Sequence, residues 1–415
     1  MGGFYSPEYN FNIYFSPIKW YNKVSRKEVG YMREFLQELK SFFRKGDLVL
    51  LLLCLTVTAF GCVMIASATN YMGNTRYIIM QILAASIGVF LYMIISSVDV
   101  SIFSEHRIAL VIFNSLLLFM LIPFGTDNGT GNRSWLDFPI VPFDIQPAEI
   151  CKITYILIMA SVMTAHQSKP STPIAVGHML LHLGLLFGLN MILSKDAGVS
   201  LIFAFIFIGM AFAGGVSLLW FALAGGVIAA LWPIAWNYVF SDHQKDRIMV
   251  LIDPSVDPMG IDERFHTVRS LKSLTGGGWT GQGLFHGTRT QNGELFAQHT
   301  DYIFSAIGEE LGFLGCAAIL LLLFVIILRC IQVGNRSQDY LRKMVCYGAA
   351  AALIFQVTSN VGMCIGITPV IGLTLPFVSY GGSSILTLYA MLGLVSGVHA
   401  RPAAPSHELY IRPYR

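Results

Sequence analysis

Long apolar segments separated by short polar connections run through the chain from residue 48 onward. Each is roughly the 20 residues that a helix needs to cross a hydrocarbon core of about 30 Å. The apolar runs are continuous and lack the alternation over about ten residues that is typical of a membrane barrel, so they predict helices. We expect ten spans, at 48–66, 77–97, 104–124, 148–166, 174–193, 197–214, 216–238, 303–330, 345–366 and 382–399.

The composition supports the same class of protein. Of the 415 residues, 54% are hydrophobic and only 12% are charged, and no soluble domain of this size has enough core to hide that much apolar surface. The seven cysteines fall in or beside the spans and match no metal-binding spacing, so we interpret them as small core residues. The sequence therefore predicts an all-α polytopic membrane protein and gives no sign of a nucleic-acid partner.

The N-terminal segment, residues 1–46, is polar and aromatic and ends in a basic run. It lacks the short apolar core and the cleavage site of a signal peptide. Residues 25–45 place apolar side chains on one side and basic ones on the other, which predicts an amphipathic helix on the membrane surface.

The distribution of Lys and Arg predicts the orientation. Basic residues are concentrated in the N-terminal segment and in the connections that share its side, so both termini, including the tail 401–415, are expected in the cytoplasm. The ten-span domain at 47–400 then exposes three loops outside: 125–147, the large loop 239–302 between spans 7 and 8, and 367–381. These three loops hold the unusual polar residues.

Asp301 follows His299 and Thr300 where the large loop re-enters the membrane. An ionisable group at this boundary is costly beside hydrocarbon and marks a candidate functional site. The alternative is that Thr300 or Asp301 only caps the helix that begins at Tyr302.

Two further outer segments carry charge. Glu149 and Lys152 are three residues apart, follow Gln146-Pro147, and share one helix face, either as a structural ion pair or as part of a site. Asp196 opens the sixth span and is expected to act as an N-cap. The glycines between Gly276 and Gly283 lie among basic residues, a composition that suits a phosphate but also an ordinary surface turn.

Four motifs, in order, make the chain resemble the SEDS family, whose members include RodA, FtsW and SpoVE. The resemblance extends from about residue 47 to 400. The first motif, at 131–152, is Arg-Ser-Trp-Leu, similar to the family's Arg-Trp-(Ile/Leu), followed by Gln-Pro-Ala-Glu-x-x-Lys. The others are Lys-Asp-Ala-Gly at 195–198, the Gly-rich run at 277–310 leading to His-Thr-Asp-Tyr-Ile-Phe and to the Glu-Glu that opens Glu-Glu-Leu-Gly, and Asn-x-Gly-Met through Leu-Pro-Phe-x-Ser-Tyr-Gly-Gly-Ser-Ser at 360–384. The segment Gly287-Thr288-Arg289-Thr290-Gln291 looks more like the elongation branch, RodA, than the division branch.

The resemblance implies a peptidoglycan glycosyltransferase in the bacterial cytoplasmic membrane, which polymerises lipid II at the outer face and works with a class B penicillin-binding protein. It assigns the essential aspartate to Asp301 and the family's Glu and Lys to Glu149 and Lys152. As a hypothesis, Asp301 is a general base or positions a divalent cation, Mg²⁺ or Mn²⁺. Substrate contacts are expected from Arg133, Trp135, Gln146, Arg269, Lys272, His299, Thr300, Ser379, Tyr380 and Ser383.

The chain departs from the family at Ser194, Arg269 and Phe296-Ala297, where Glu, Gln and Pro-Glu are usual. Two other functions remain open at this point. Buried charges in ten spans also suit a lipid II flippase, although the paired broken helices of many transporters are not evident. A non-catalytic scaffold for a cell-wall synthase is the third reading, and it requires Asp301 to be dispensable.

Overall fold

The computed structural model describes residues 43–126, 132–137, 144–238, 240–253, 255, 257 and 264–401. The amphipathic helix predicted at 25–45 lies almost wholly outside these residues, and so does the tail after residue 401. The described chain is overwhelmingly helical, as predicted. Its only described strands, β1 (Gly125–Thr126) and β2 (Trp135–Leu136), form a short antiparallel pair in the first outer loop.

Ten apolar helices correspond to the ten predicted spans. Nine of those in the described residues are long and apolar enough to cross a membrane, and the remaining one, Ala197–Ala213, has 17 residues. In chain order the ten apolar helices are α1 (Leu48–Thr69), α2 (Arg76–Ser97), α4 (Arg107–Phe119, continued by α5, Leu121–Phe124), α6 (Pro147–Ala165), α7 (Pro173–Leu193), α8 (Ala197–Ala213), α9 (Leu218–Tyr238), α13 (Ile303–Arg336), α14 (Tyr340–Cys364) and α15 (Gly382–Ala400). The short helix α3 (Ser101–Glu105) connects α2 to α4.

The last span, α15, forms the centre of the bundle, and most of its residues are buried. It packs closely on α2 because small residues let the two backbones approach. A Cβ added at Gly88 would lie 2.8 Å from the Tyr389 ring, and one added at Gly393 would lie 3.0 Å from the Tyr92 carbonyl oxygen. This packing places the start of α15, which carries the predicted site residue Ser383, beside the outer end of α6.

The large loop is more structured than the sequence predicts. Its described residues contain three helices: α10 (Asp242–Ile252), α11 (Phe265–Gly277) and α12 (Thr288–Gln291). Helix α11 packs on α13 so closely that a Cβ at Gly277 would lie 1.8 Å from the Gly308 carbonyl oxygen. The loop is therefore anchored on the membrane domain.

Helix α13 is interrupted where the sequence predicts an unbroken span. Gly312 has φ 68° and ψ −164°, a conformation that only glycine adopts readily. The backbone N–H groups of Phe313 and Leu314 donate to the carbonyls of Gly278 and Trp279 instead of to the preceding helical turn. The hydropathy pattern could not show this break, because the groups that replace the helical hydrogen bonds come from a distant segment.

Helix α9 differs from the other spans, because none of its residues is buried. Its N-terminal end is attached through Ser217 N–H to Ser171 Oγ (2.8 Å) and Trp220 Nε1 to the Ser171 carbonyl (2.9 Å). Beyond these contacts the helix exposes apolar side chains over its length, as expected for a span surrounded by lipid.

Ion pairs stabilise the end of the bundle at which α1 begins, opposite the end that carries the outer loops. The Asp47 carboxylate caps α1 through Leu50 N–H and accepts two hydrogen bonds from Arg329, at 2.8 and 3.1 Å. Arg342 pairs with Asp99 at 2.9 Å. Orientation by basic residues places this end in the cytoplasm.

Candidate functional site

Asp301 lies in a turn just before α13. Ala297 has a positive φ of 50°, and its carbonyl accepts the N–H groups of Thr300 (3.1 Å) and Tyr302 (3.2 Å) as well as the Thr300 hydroxyl (3.2 Å). The N-cap position of α13 is Tyr302, and no side chain caps it. The expectation that Thr300 or Asp301 caps this helix is therefore wrong, and the carboxylate of Asp301 is left for another role.

The backbone carbonyls around Asp301 are held by α14 and by the last outer loop. Asn360 Nδ2 donates to the carbonyls of Asp301 (2.8 Å) and Leu373 (2.6 Å), and the Ser379 hydroxyl donates to the carbonyl of Thr300 (2.6 Å). The turn is thereby fastened on two sides, and its position does not depend on the Asp301 side chain.

Aromatic rings line the same segment. His299 lies 4.8 Å from Tyr77 and 5.8 Å from Tyr380 between ring centroids, and Tyr77 meets Tyr380 edge-on at 5.1 Å. The Tyr380 N–H also donates to the His299 carbonyl at 2.8 Å. Burial lowers the pKa of His299, so its ring is neutral at pH 7.

Tyr77 and Gln81 on α2 are site residues that sequence reasoning missed. The Gln81 amide donates to the Ser379 carbonyl and accepts from Gly381 N–H, both at 3.2 Å, and the side chain is fully buried. A polar residue inside an otherwise apolar span was the available signal.

Glu149 and Lys152 form the predicted pair on α6. Lys152 Nζ lies 2.8 Å from the Glu149 carboxylate, and the two residues are only 4% and 2% exposed. The Thr387 hydroxyl of α15 donates to Glu149 Oε2 at 2.8 Å. The pair is thus a desolvated ion pair with an added hydrogen bond, the arrangement in which buried charges are tolerated.

Gln146 joins this pair to two other predicted segments. Its N–H donates to Ser383 Oγ (3.1 Å), and its side-chain amide donates to Asp196 Oδ2 (3.1 Å). The other Asp196 oxygen accepts Val199 N–H at 3.1 Å, so Asp196 caps α8 as expected. Asp196 therefore has a capping role and also faces the candidate site.

The Asp301 carboxylate is half-buried beside the last outer loop, where a Cβ at Gly372 would lie 3.6 Å from Oδ2. Burial, with a smaller contribution from the negative charge of Asp196, raises the pKa of Asp301 to about 6. Among the described residues, no group donates a hydrogen bond to this carboxylate. Asp301 is therefore a carboxylate with a raised proton affinity and free lone pairs, as a general base requires.

The adjacent acids Glu309 and Glu310 show the contrast. Glu309 accepts the N–H groups of Arg289 (3.0 Å) and Thr290 (2.9 Å), and Glu310 accepts the Ser67 hydroxyl at 2.7 and 2.6 Å. Both are fully buried, and their oxygens are occupied in holding α12 and α1. They support the fold of the loop that leads to Asp301.

The composition of the Gly-rich segment suited either a phosphate site or an ordinary surface turn. In the structure, the N–H groups of Gln282 and Gly283 donate to the carbonyls of Glu309 and Glu310, each at 2.9 Å. A Cβ at Gly281 would lie 2.1 Å from the Glu310 carbonyl oxygen. These glycines thus pack on the interrupted helix, and those two N–H groups are used within the protein.

Among the described residues, none of the predicted basic residues forms an ion pair with Asp301. Arg269 donates to the Glu294 carbonyl and stacks over the Phe265 ring at 4.1 Å, while Lys272 is exposed on the same helix. Arg133 is exposed beside β2, which contains Trp135.

The first outer loop is attached to the α7–α8 turn by the hydroxyls of Ser134 and Ser194, 2.8 Å apart. Ser194 is a position at which this chain departs from the SEDS pattern. A Ser–Ser contact thus stands where the family usually has a carboxylate.

The site contains oxygen ligands but no assembled metal centre in the described residues. No group of three or more His, Cys, Asp or Glu side chains there could hold a metal ion. The negative charge of Asp196 contributes to the raised pKa of Asp301, so the two carboxylates act on each other electrostatically.

Comparison with known proteins places the whole membrane domain in one family. The family of FtsW, RodA and SpoVE, described as "Cell cycle protein", matches residues 47–403. Peptidoglycan glycosyltransferase MrdB of Escherichia coli strain K12 is 32% identical over 365 residues, covering 87% of this chain and 95% of the relative. A probable peptidoglycan glycosyltransferase FtsW of Trichlorobacter lovleyi is 30% identical over 378 residues, covering 88% and 96%.

Solved structures agree with the sequence comparison. The rod shape determining protein RodA of Thermus thermophilus matches with a TM-score of 0.63 at 25% identity, covering 85% of this chain and 96% of that one. A chain of a peptidoglycan synthase complex matches with a TM-score of 0.70 at 27% identity, covering 85% and 97%. The chain belongs to the SEDS family of FtsW, RodA and SpoVE, as a multi-span protein of the cytoplasmic membrane.

Proposed function

We propose that this chain is a peptidoglycan glycosyltransferase that polymerises lipid II at the outer face of the cytoplasmic membrane. The observation that carries the proposal is the Asp301 carboxylate, which is half-buried, has a pKa raised to about 6, and receives no hydrogen bond from the described residues. The names of the relatives support the same activity.

In the proposed reaction, Asp301 accepts the proton of the incoming sugar hydroxyl. The hydroxyl oxygen forms the new glycosidic bond at the anomeric carbon of the donor, and the bond from that carbon to the diphosphate breaks, releasing undecaprenyl diphosphate. General-base assistance of this kind typically contributes about 10²–10⁴-fold. A pKa near 6 leaves Asp301 mostly ionised at pH 7 and still basic enough to share the proton in the transition state.

The departing diphosphate requires positive charge. Lys152 lies six residues after Gln146 on the same side of the site, but it is bound to Glu149, so we assign the pair to setting the field of the site. Arg133 is exposed and available to a phosphate. Arg269 is the weaker candidate, because its guanidinium is engaged by Glu294 and Phe265. A Mg²⁺ or Mn²⁺ ion bound by Asp301 and Asp196 would supply further charge neutralisation.

A lipid-linked donor and acceptor must reach the site from the bilayer. Helix α9 supports lateral access, because none of its residues is buried and its described hydrogen bonds to distant segments lie near its N-terminal end. The polyprenyl tails would remain in lipid while the sugars reach the outer loops.

A transpeptidase must cross-link the strands that this reaction makes. We therefore propose a class B penicillin-binding protein as partner, supported by the match to a peptidoglycan synthase complex. The relatives carry both RodA-type and FtsW-type names, so elongation and division remain alternatives for the process served.

The test is lipid II polymerisation by the purified chain, with and without its partner, at matched folded yield. Asp301→Ala should reduce strand formation by at least about 10²-fold. Glu105→Gln, an exposed acid at the opposite end of the bundle, is the matched control and should leave the rate unchanged. If Asp301→Ala polymerises as well as wild type, the proposed mechanism is wrong, and lipid II translocation becomes the activity to assay.

A further inference from the structure

A pair of histidines closes the α6–α7 hairpin at the end of the bundle assigned to the cytoplasm. His166 follows the last residue of α6, and His178 is the sixth residue of α7. Their facing atoms, His166 Nε2 and His178 Nδ1, are 3.0 Å apart, with ring centroids 5.1 Å apart. The outer-face site uses neither residue.

We propose that His166 and His178 form a binding site for a divalent transition-metal ion, coordinated by these two nitrogens with water in the remaining positions. Imidazole nitrogens suit Zn²⁺, Cu²⁺ and Ni²⁺, whereas Mg²⁺ and Ca²⁺ prefer oxygen ligands. The site is independent of the proposed glycosyltransferase activity.

The separation of the two nitrogens favours particular ions. With metal–nitrogen bonds of about 2.0–2.1 Å, a separation of 3.0 Å corresponds to an angle of about 94° at the metal. Adjacent positions on a tetragonal ion subtend about 90°, which suits Cu²⁺ and Ni²⁺. A tetrahedral Zn²⁺ site would need about 3.3 Å, so the rings would have to move apart. For all of these ions the rings must also turn, because in the hydrogen bond the accepting lone pair points at the other nitrogen and not at a shared ion.

The surroundings allow an ion to enter. His178 is exposed and His166 is partly exposed, and within the described residues neither ring has a carboxylate at ion-pair distance. Lys169 is the cation in the connecting turn; its N–H donates to the His166 carbonyl (3.0 Å), and its side chain is exposed, where water and salt screen its charge.

Binding replaces the hydrogen bond between the rings. In that bond one neutral ring donates and the other accepts, so one facing nitrogen carries a proton. The metal needs both lone pairs, and the donating ring moves its proton to its outer nitrogen through solvent. Neutral rings therefore bind the ion with no net release of protons.

One turn further along α7, His182 Nδ1 lies 2.8 Å from the His178 carbonyl oxygen. In neutral form the ring donates this bond, as the carbonyl can only accept. The bond holds the His182 ring against its own helix, so His182 is not one of the two proposed ligands.

The experiment is Cu²⁺ and Ni²⁺ titration of the full-length chain, purified without a histidine tag, followed by metal analysis after dialysis. Wild type should bind about one ion per chain, and His166→Gln and His178→Gln should each weaken binding at least about tenfold. His106→Gln is the matched control, since His106 is an exposed histidine between helices on the same side. Mg²⁺ should show no binding at this pair.

Electron paramagnetic resonance of the Cu²⁺-loaded wild type gives a readout that does not depend on the variants folding. Coupling to two imidazole nitrogens is expected, reduced to one in each single variant. Fewer than two imidazole nitrogens in wild type, or affinity unchanged when both histidines are replaced, would overturn the proposal.

Discussion

The charge on Asp301 should make the protein less stable at neutral pH than the same protein with asparagine at this position. Burial and the Asp196 charge raise the pKa of Asp301 from 3.8 to about 6, a difference of about 2 units or about 3 kcal/mol. A carboxyl whose pKa is raised by folding stabilises the protein fully only below its unfolded pKa, near 4, and loses that contribution as the pH rises through about 6.

Asp301→Asn keeps the size of the side chain and removes the charge. We therefore expect the variant to be more stable than wild type at pH 8, by at most about 3 kcal/mol in the free energy of unfolding, and to unfold at a higher temperature in detergent. The difference should shrink at pH 5. Lipid II polymerisation should fall by about 10²–10⁴-fold in the same preparation.

Scanning fluorimetry from pH 5 to pH 8 measures the first effect, with Glu105→Gln as the control that should follow wild type throughout. A lower unfolding temperature for Asp301→Asn at pH 8, at matched yield, would refute the reasoning, because the ionised carboxylate would then be stabilising. A higher unfolding temperature for Asp301→Asn with unchanged polymerisation would support the raised pKa of Asp301 and reject its role as the general base.

The pH–rate profile examines the same carboxylate. Polymerisation should rise with pH around a midpoint near 6, because the ionised form of Asp301 is the proposed base. Asp196→Asn keeps the cap on Val199 N–H, since asparagine is a good N-cap, and removes a negative neighbour, so the midpoint should move to lower pH. An unmoved midpoint would mean that the Asp196 charge has no effect on Asp301.

Two predictions concern the scaffold. Lys152→Met should destabilise the protein by about 3–5 kcal/mol, because it leaves Glu149 buried without its cation. Adding Glu149→Gln removes that unpaired charge and should restore most of the unfolding temperature. A double variant that is no more stable than Lys152→Met would contradict this prediction. Gly281→Ala should lower the unfolding temperature, because φ is 80° and the new Cβ would meet the Glu310 carbonyl, with strain of about 1–3 kcal/mol from the backbone alone. Gly225→Ala, in open space on α9, is the control and should be neutral or stabilising.

The sequence predicts the helices well, because each span must be apolar over a length set by the bilayer. It does not predict the break at Gly312 or the helix Phe265–Gly277. Both depend on contacts between segments about 30 residues apart, and the glycines that permit those contacts look like loop residues when the chain is considered alone.

For the site, the outcome depends on whether the signal is local. The pair of Glu149 and Lys152 follows from spacing on one helix, and the cap at Asp196 follows from its position before α8. The engagement of Arg269 by Glu294 and the bond from Gln81 to the Ser379 carbonyl join distant segments, so residue type alone could not show them.

The distribution of hydrogen bonds separates the structural carboxylates of this protein from Asp301, the proposed general base. Asp47 accepts a hydrogen bond from Arg329, Glu149 accepts one from Lys152, and Glu310 accepts one from Ser67. Each of these acids therefore has a donor that offsets its loss of hydration. Asp301 has a raised pKa and no donor among the described residues, although its backbone is firmly held by Asn360. The fold gains nothing from a charge kept in this way. The two kinds of acid should therefore respond with opposite signs: removing the donor at Glu149 lowers stability, whereas removing the charge at Asp301 raises it and stops the reaction.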